Sequence, residues 1–317
     1  MKQKPIIKYL RDYLDYLEIE KGLSPKSQEN YARFLNRFFK WLNDNNLSEL
    51  EPQDLDSNHI WRYRLHLSRH IDPQTKKVLK KSTQNYYLIA LRGLLDFFLE
   101  KGIDSLPSGK IKLAKDKSEK EVKFLNLEQI KKLLNAPSGS SLPILRDKAI
   151  LETLFSTGLR VAELVALNRD QIKIGPKIEY LEVVISGKGE KIRPVYFSKR
   201  ALEALKAYLD KRTDLDPALF INFKPGIEKT NESRRLTTKS IQDIVKKYIK
   251  IAGLPVMATP HTLRHSFATD LLSQGVDLRL VQEFLGHKNI TTTQVYTHVT
   301  KKQLRDIHKK IHDRDLD

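Results

Sequence analysis

The sequence contains no cysteine, which excludes disulfides, thiol catalysis and zinc held by cysteine ligands. It also contains no run of about 18 apolar residues, the length that a membrane-spanning helix requires. The first residues carry charges every few positions and no apolar stretch of the kind found in a signal peptide. These absences predict a cytoplasmic protein without a membrane partner.

Acidic residues are too few to balance the basic ones. The 317-residue chain has 39 Asp and Glu against 57 Lys and Arg, which gives a formal net charge of +18. This is far above the roughly 2 to 8 charges that suit a small soluble domain. Because such an excess attracts polyanions, nucleic acid is the favoured partner, ahead of an anionic membrane surface.

Apolar periodicity predicts a mainly α protein with a small β-hairpin and two domains. Residues 1–110 contain only helical patterns and predict a small bundle. One helix is capped by Ser24 with Pro25 at its first position, a second spans Leu55–Ser68, and a third is capped by Ser82 or Thr83 and ends at Gly102. Residues 111–123 are basic and lack periodicity, which indicates a linker.

The second domain is predicted over residues 124–317. Helices are expected at Leu127–Leu134 and Leu145–Phe155, the latter ending at Thr157-Gly158, with a new helix starting around Arg160. Two β-branched or aromatic runs, Tyr180–Ile185 and Ile192–Phe197, flank a glycine-containing turn and predict a hairpin. The remainder is expected to be helical, including Leu278–Leu285 with Gly286 as its left-handed cap.

Two arginines lie inside apolar stretches, where a solvated surface charge is not expected. Arg160 lies in TLFSTGLRVAELVAL, and Arg264 lies in HTLRHSFATDLL. The planar guanidinium forms bidentate hydrogen bonds and stays charged, so two of them can meet the charge that develops on a phosphodiester in the transition state. Arg160 is also predicted at a helix N-terminus, which favours an anion.

His261 lies one helical turn before Arg264 on the same face, behind the predicted cap Thr259 and Pro260. Its spacing to His265 permits a zinc site, but no nearby carboxylate or cysteine completes a ligand set, so no metal is expected. His287 follows Gly286, and Tyr296 lies nine residues further on. Alone, each is most simply a surface or core residue.

Taken together, these motifs resemble the tyrosine recombinase/integrase family, and within it the short Xer-like members. The similarity rests on TGLRVAEL, the hairpin GKG, HTLRH, LGH and TTQVYTHV, in the family's order and spacing along nearly the whole chain. The resemblance implies the catalytic set Arg160, Lys188, His261, Arg264, His287 and the nucleophile Tyr296, with Glu163 as acidic support. Lys191 and Arg193 are alternatives to Lys188 for protonating the leaving oxygen.

The resemblance implies an N-terminal core-binding, SAM-like bundle and a tyrosine-recombinase catalytic domain. It also implies a 3′-phosphotyrosine intermediate, strand exchange through a Holliday junction, and no cofactor. The expected partner is double-stranded DNA with paired inverted half-sites, bound by four protomers. We expect no lambda-type arm-binding domain and no integron-type insertion, which leaves chromosome dimer resolution or mobile-element integration. A type IB topoisomerase and a DNA-binding regulator without catalysis are the rival interpretations.

Helix faces rich in basic and amide side chains predict the phosphate contacts. These residues are Lys26, Asn30, Arg33, Arg37, Lys81, Ser82, Asn85 and Arg92 in the first domain, and Arg234, Arg235 and Lys239 in the second. The tail after Tyr296 carries Leu304, Ile307 and Ile311 as a narrow apolar stripe on a polar helix. In the family this helix packs into a neighbouring protomer, and docking on its own domain is the simpler alternative.

Overall fold

The computed structural model describes residues 4–72, 76–114, 124–175, 180–186, 192–223, 234–254 and 258–286. Its described residues are mainly helical, and their contacts divide the chain into two compact units, residues 1–119 and 120–317. Among these described residues, no helix is long and apolar enough to cross a membrane. The fold class predicted from the sequence is confirmed.

The first unit is a bundle of four α-helices. A 3-10 turn at Ile6–Tyr9 precedes them, and a second at Pro52–Asp54 lies before the third helix. The helices are α1 (Leu10–Ile19), α2 (Pro25–Asp44), α3 (Ser57–Arg69) and α4 (Lys81–Glu100). Their apolar faces form one aromatic-rich core, in which Tyr13, Phe38 and Tyr63 are almost fully buried.

Three details of this bundle differ from the sequence predictions. The third helix begins at Ser57 and not at Leu55, because the Asp56 carboxylate caps it by accepting the backbone N–H of His59. The fourth helix begins at Lys81, so Ser82 lies inside its first turn and is not its cap. The sequence predicts a linker from residue 111 onwards, but Ile111 is buried in the core of this unit.

The second unit combines helices with a two-stranded sheet. Its elements are α5 (Leu127–Asn135), α6 (Leu142–Thr157), α7 (Val161–Ala166), β1 (Tyr180–Ser186), β2 (Ile192–Ser198), α8 (Lys199–Leu209), α9 (Thr238–Ile251), α10 (Pro260–Ser273) and α11 (Leu278–Leu285). The strands are antiparallel with Val183 opposite Val195, as the predicted hairpin requires. A short 3-10 turn covers Arg169–Gln171.

Helix α6 forms the centre of the second unit. Its residues from Ala149 to Leu154 are all buried, so this part of the helix is covered on every side. Helices α10 and α11 add a smaller apolar cluster of Ala268, Leu272, Val281 and Leu285. This cluster holds α11 against α10, the helix that carries the predicted catalytic Arg264.

Candidate active site

A sharp turn at the end of α6 places Arg160 at the start of α7. Gly158 ends the helix in the left-handed region with φ of 61°, and a Cβ there would lie 2.5 Å from Cδ1 of Phe267. The position therefore requires glycine both for its backbone conformation and for its space. Arg160 follows as the N-cap of α7, close to the helix start that the sequence predicts.

Glu163 holds Arg160 at this position. Its carboxylate accepts the backbone N–H of Arg160 at 2.8 Å and the Nη1 donor of the same residue at 2.9 Å. Burial would raise the pKa of Glu163, but hydrogen bonds from Arg193 and Arg160 outweigh it and lower the pKa to about 2. Glu163 is therefore a carboxylate at neutral pH. The Arg160 side chain is 31% exposed, so a ligand can reach it.

Arg264 enters the same region from α10. The helix starts where the sequence predicts, with Thr259 as N-cap and Pro260 at its first position. Arg264 is 5% exposed and donates from Nη1 to the Gly158 carbonyl at 2.7 Å and from Nη2 to the Leu285 carbonyl at 2.5 Å. It thus connects the ends of α6 and α11.

The two arginines meet at the C-terminal turn of α11. Arg160 donates from Nη2 to the Gly286 carbonyl at 3.0 Å, and Arg264 binds the neighbouring Leu285 carbonyl. Gly286 has φ of 62° and ends α11 in the left-handed conformation predicted from the sequence. Two residues more than a hundred positions apart in the chain thus bind adjacent carbonyl groups, immediately before His287.

His261 is exposed on the first turn of α10. Desolvation of its ring lowers its pKa below the ordinary 6.5, and the positive charges of Arg264 and Arg160 lower it further. The pKa of His265 is lowered first by burial and then by His261 and Arg264. Both imidazoles are therefore mainly neutral at neutral pH, and His261 can accept a proton beside the arginine pair.

The other predicted catalytic residues, Lys188, His287 and Tyr296, lie outside the described residues, as does Lys191. The proposed C-terminal assembly helix also lies there. Arg193, which the sequence offers as an alternative proton donor, is described and takes a different position. It is 8% exposed and binds Glu163 with both terminal nitrogens, so it is a poor donor to a leaving group.

The predicted DNA-contact residues of the first unit lie on two neighbouring helices, α2 and α4. The Arg37 guanidinium lies 5.0 Å from the centre of the Tyr87 ring, and Phe34 contacts both Tyr86 and Tyr87. On α2, Lys26 binds Glu29, and Arg33 donates to Asn30. On α4, the exposed Lys81 and the half-buried Ser82 and Arg92 complete the set. Contact with DNA stays a prediction for all of these residues.

Two of the predicted contacts have structural partners. The Asn85 side chain both donates to and accepts from the backbone of Ala114, each at 2.9 Å, and so holds the end of the first unit. Arg235 donates to the carbonyls of Val165 and Leu167 and to the side chain of Asn168. These bonds give both side chains a role within the fold, and contact with DNA stays a prediction for both.

The remaining two predicted contacts lie near Arg235. Arg234 donates to the Asn222 carbonyl at 3.2 Å and lies 5.7 Å from the ring centre of Phe223. Lys239 forms an exposed ion pair with Asp243 on α9. An exposed pair of this kind is worth about 0–1 kcal/mol, so a phosphate can readily replace the carboxylate.

Comparison with known proteins agrees with this architecture. Residues 123–303 match the phage integrase family, and residues 10–102 match the phage integrase N-terminal SAM-like domain. Tyrosine recombinase XerD of Listeria innocua serovar 6a is 36% identical over 306 residues, covering 96% of this chain and 98% of the relative. Tyrosine recombinase XerC of Thermodesulfovibrio yellowstonii is 33% identical over 313 residues, covering 96% of each.

A solved structure shares the fold. It is the XerH site-specific recombinase bound to palindromic difH substrate in a post-cleavage complex, with a TM-score of 0.69 and 24% sequence identity. The match covers 95% of this chain and 84% of that one.

Proposed function

This chain belongs to the phage integrase family and is a site-specific tyrosine recombinase, and we propose that Arg160, His261 and Arg264 form the described part of its active centre. The observation that carries the proposal is the convergence of Arg160 and Arg264 on the adjacent carbonyls of Gly286 and Leu285. A scissile phosphate beside these carbonyls would meet two guanidinium groups. The next residue, His287, would enter the same site.

The two arginines stabilise the transition state of phosphodiester cleavage. Negative charge increases on the non-bridging oxygens as the nucleophile attacks, and a fixed guanidinium binds it without reorganising. The packing of Arg264 between Gly158 and Leu285 and the ion pair of Arg160 with Glu163 support this role, because both side chains are held before substrate binds. The lowered pKa of His261 keeps its ring neutral at neutral pH, so it is available as the general base that accepts the proton of the attacking nucleophile.

Tyr296 is the nucleophile of the proposed reaction. Its phenolic oxygen forms a bond to phosphorus, the bond to the 5′ oxygen breaks, and Lys188 supplies the proton that this oxygen needs. The products are a 3′-phosphotyrosine and a free 5′-OH. A 5′-OH from the partner duplex then attacks the phosphotyrosine, releases Tyr296 and joins the strands through a Holliday junction. The energy of the broken bond is retained in the covalent link, so no ATP is consumed.

The substrate of the proposed reaction is double-stranded DNA with two inverted half-sites, bound by one protomer on each half-site and four on two sites. The palindromic substrate of the XerH complex supports this arrangement. The charge of +18 supports a large number of phosphate contacts. Such a reaction takes place in the cytoplasm, where it resolves chromosome dimers or moves a mobile element.

Covalent trapping tests this function and identifies the DNA site in the same experiment. The purified protein is incubated with fragmented genomic DNA of its source, denatured, and recovered with any attached DNA, which is then sequenced. A nicked duplex carrying the recovered site serves for kinetics. We expect Tyr296→Phe to bind this duplex normally and form no adduct. Adduct formation by Tyr296→Phe at the wild-type rate would remove Tyr296 from the mechanism.

Arginine variants test the transition-state role on the same nicked duplex. Arg160→Ala and Arg264→Ala should each slow adduct formation at saturating DNA on the order of 10²–10³-fold, as loss of one oxyanion donor does. A change of a few-fold in either variant would refute its role. Products in which strands are joined between two sites distinguish a recombinase from a type IB topoisomerase, which rejoins the same strand. A regulator without catalysis would form no adduct.

Assembly through the C-terminal tail is tested by truncation after Thr300. We expect the shortened protein to bind a single half-site as the full chain does, because its DNA-contact residues remain. It should occupy two adjacent half-sites with less cooperativity, since the apolar stripe of Leu304, Ile307 and Ile311 is lost. Gel shifts on one and two half-sites measure both quantities. Undiminished cooperativity would show that the tail is not the link between protomers.

A further inference from the structure

A buried arginine next to the catalytic arginines has no role in the scheme above. Arg193 lies on β2, where alternate residues point into the core, so it shares its face with Val195 and Phe197. Its exposure of 8% means that a charged side chain is buried. A buried cation is stable only when it is paired and hydrogen-bonded, so its partners indicate its role.

Glu163 is the main partner of Arg193. The Nη1 and Nη2 donors of Arg193 bind Oε1 and Oε2 of Glu163 at 2.9 and 2.7 Å. Arg160 binds the same two oxygens, through Nη1 to Oε1 and through its backbone N–H to Oε2. Each carboxylate oxygen therefore accepts one bond from each arginine. Arg193 and Arg160 are held together by a single carboxylate that is 6% exposed.

Arg193 also contacts the turn in which the two catalytic arginines meet. Its Nε donates to the Phe284 carbonyl at 3.3 Å. A Cβ built on Gly286 would lie 2.9 Å from Cδ of Arg193, so the arginine chain lies directly against the glycine backbone. The carbonyl of this glycine accepts the Nη2 donor of Arg160. One side chain thus supports Arg160 from two directions.

We propose that Arg193 is a positioning residue for DNA cleavage, which fixes Glu163 and the backbone of Gly286, and through both of them Arg160. The proposal rests on the proposed function, because it assigns Arg193 to the machinery that serves the scissile phosphate. Arg193 does not touch the substrate. It determines where Arg160 meets the phosphate.

Arg193→Lys is the first test, because lysine keeps the charge and loses the planar fork. One ammonium group cannot bind both Glu163 oxygens and the Phe284 carbonyl in the geometry of a guanidinium. We expect adduct formation on the nicked duplex defined by covalent trapping to slow about 10–100-fold at saturating DNA, since small misplacements of a catalytic group cost up to about this much. DNA affinity should change less than about threefold.

A double mutant separates positioning from general loss of structure. If Arg193 acts through Arg160, the Arg193→Lys change should slow Arg160→Ala by less than about threefold, because the group that it positions is already absent. If Arg193→Lys slows adduct formation as much in Arg160→Ala as it does in the wild type, the proposal is refuted. The matched control is Arg212→Lys, since Arg212 is equally buried and binds Asp214 with two nitrogens away from this site. It should leave the cleavage rate of folded protein unchanged.

A pH profile gives a readout that a purely structural role would not move. Burial raises the pKa of Glu163, and bonds from Arg193 are the largest effect that lowers it. The charged groups that face this carboxylate are Arg160 from the start of α7 and Arg193 from β2. In Arg193→Met, Glu163 should titrate at a higher pH, so cleavage should lose activity on the acidic side. Arg193→Met/Glu163→Gln should lack this acidic loss.

The Glu163 pKa can also be measured without any cleavage. Carbon-13 NMR of the glutamate carboxyl groups, assigned by the signal missing in Glu163→Gln, should show Glu163 charged down to about pH 2 in the wild type and protonated at a higher pH in Arg193→Met. If neither the wild type nor any variant forms adducts while the pKa of Glu163 rises in Arg193→Met, the proposed function is refuted but the contact between Arg193 and Glu163 is confirmed. Normal wild-type cleavage with an unimpaired Arg193→Lys refutes the positioning role alone.

Discussion

Gly158→Ala tests how strictly the turn that delivers Arg160 depends on glycine. The residue has φ of 61°, and a Cβ at this position would lie 2.5 Å from Cδ1 and 2.8 Å from Cε1 of Phe267. These distances are shorter than non-bonded carbon atoms normally allow, so either the Phe267 ring or the backbone must move. The Gly158 carbonyl accepts Nη1 of Arg264 at 2.7 Å, so backbone movement would displace a catalytic side chain.

The cost follows from two separate effects. The left-handed conformation costs a residue with a Cβ about 1–2 kcal/mol. Forcing a methyl group into the space of the Phe267 ring adds about 1–3 kcal/mol, as overpacking in a core does. We therefore expect Gly158→Ala to lower the free energy of unfolding by about 2–5 kcal/mol. Gly253 isolates the first effect, because it has φ of 62° and nothing within 4 Å of its Cβ position.

Urea unfolding of Gly158→Ala and Gly253→Ala, followed by circular dichroism, measures the two costs. Gly253→Ala should lose only the left-handed cost and cleave DNA at the wild-type rate. Gly158→Ala should lose more stability and, when folded, cleave more slowly because the acceptor of Arg264 has shifted. Equal destabilisation of the two variants would mean that Phe267 yields without cost, and the argument from packing would fail.

Three further predictions concern pH, salt and Asn85. His261 and His265 have folded-state pKa values below 6.5, so the unfolded chain binds protons first and stability should fall as the pH falls below about 6.5; His261→Gln should reduce this slope in urea titrations. The logarithm of the DNA-binding constant should fall linearly with the logarithm of the salt concentration, with a slope of about −0.9 per phosphate contact. An affinity that does not change with salt would contradict the predicted phosphate contacts. Asn85→Ala should cost about 1–3 kcal/mol of stability through its two lost bonds to Ala114, whereas a residue that only contacts DNA would change affinity alone.

Local sequence signals predicted the elements that carry the site. Thr259 and Pro260 begin α10, and Gly286 ends α11 in the left-handed conformation, as the sequence indicated. The paired strands flank the predicted turn. These predictions succeed because capping and strand alternation depend on residues a few positions apart. The start of α4 was predicted wrongly because Ser82 and Thr83 are as acceptable in a first helical turn as at a cap.

Polar side chains that brace the fold were harder to predict, since their partners are distant in the chain. Asn85 and Arg235 are predicted as phosphate contacts, and the structure adds a role that the sequence did not indicate, because they bind the backbone of Ala114 and of Val165 and Leu167. One signal for such a role was present in the sequence. Arg193 takes an inward position in a strand with Val195 and Phe197, and an inward arginine requires a buried acceptor.

The sequence also contains a signal for the buried acceptor of Arg193. Glu163 is an acidic residue within the apolar run VAELVAL. Neither residue alone identifies the other, since 30 positions and a hairpin separate them. The sequence explains Gly286 by its helix cap, but the structure adds a second reason. The Arg193 chain lies against the glycine backbone, and the glycine carbonyl binds Arg160. A side chain at this position would push Arg193 away from Glu163 and move the carbonyl away from Arg160. Glycine at position 286 is therefore required by the packing that holds Arg160, as well as by the end of a helix.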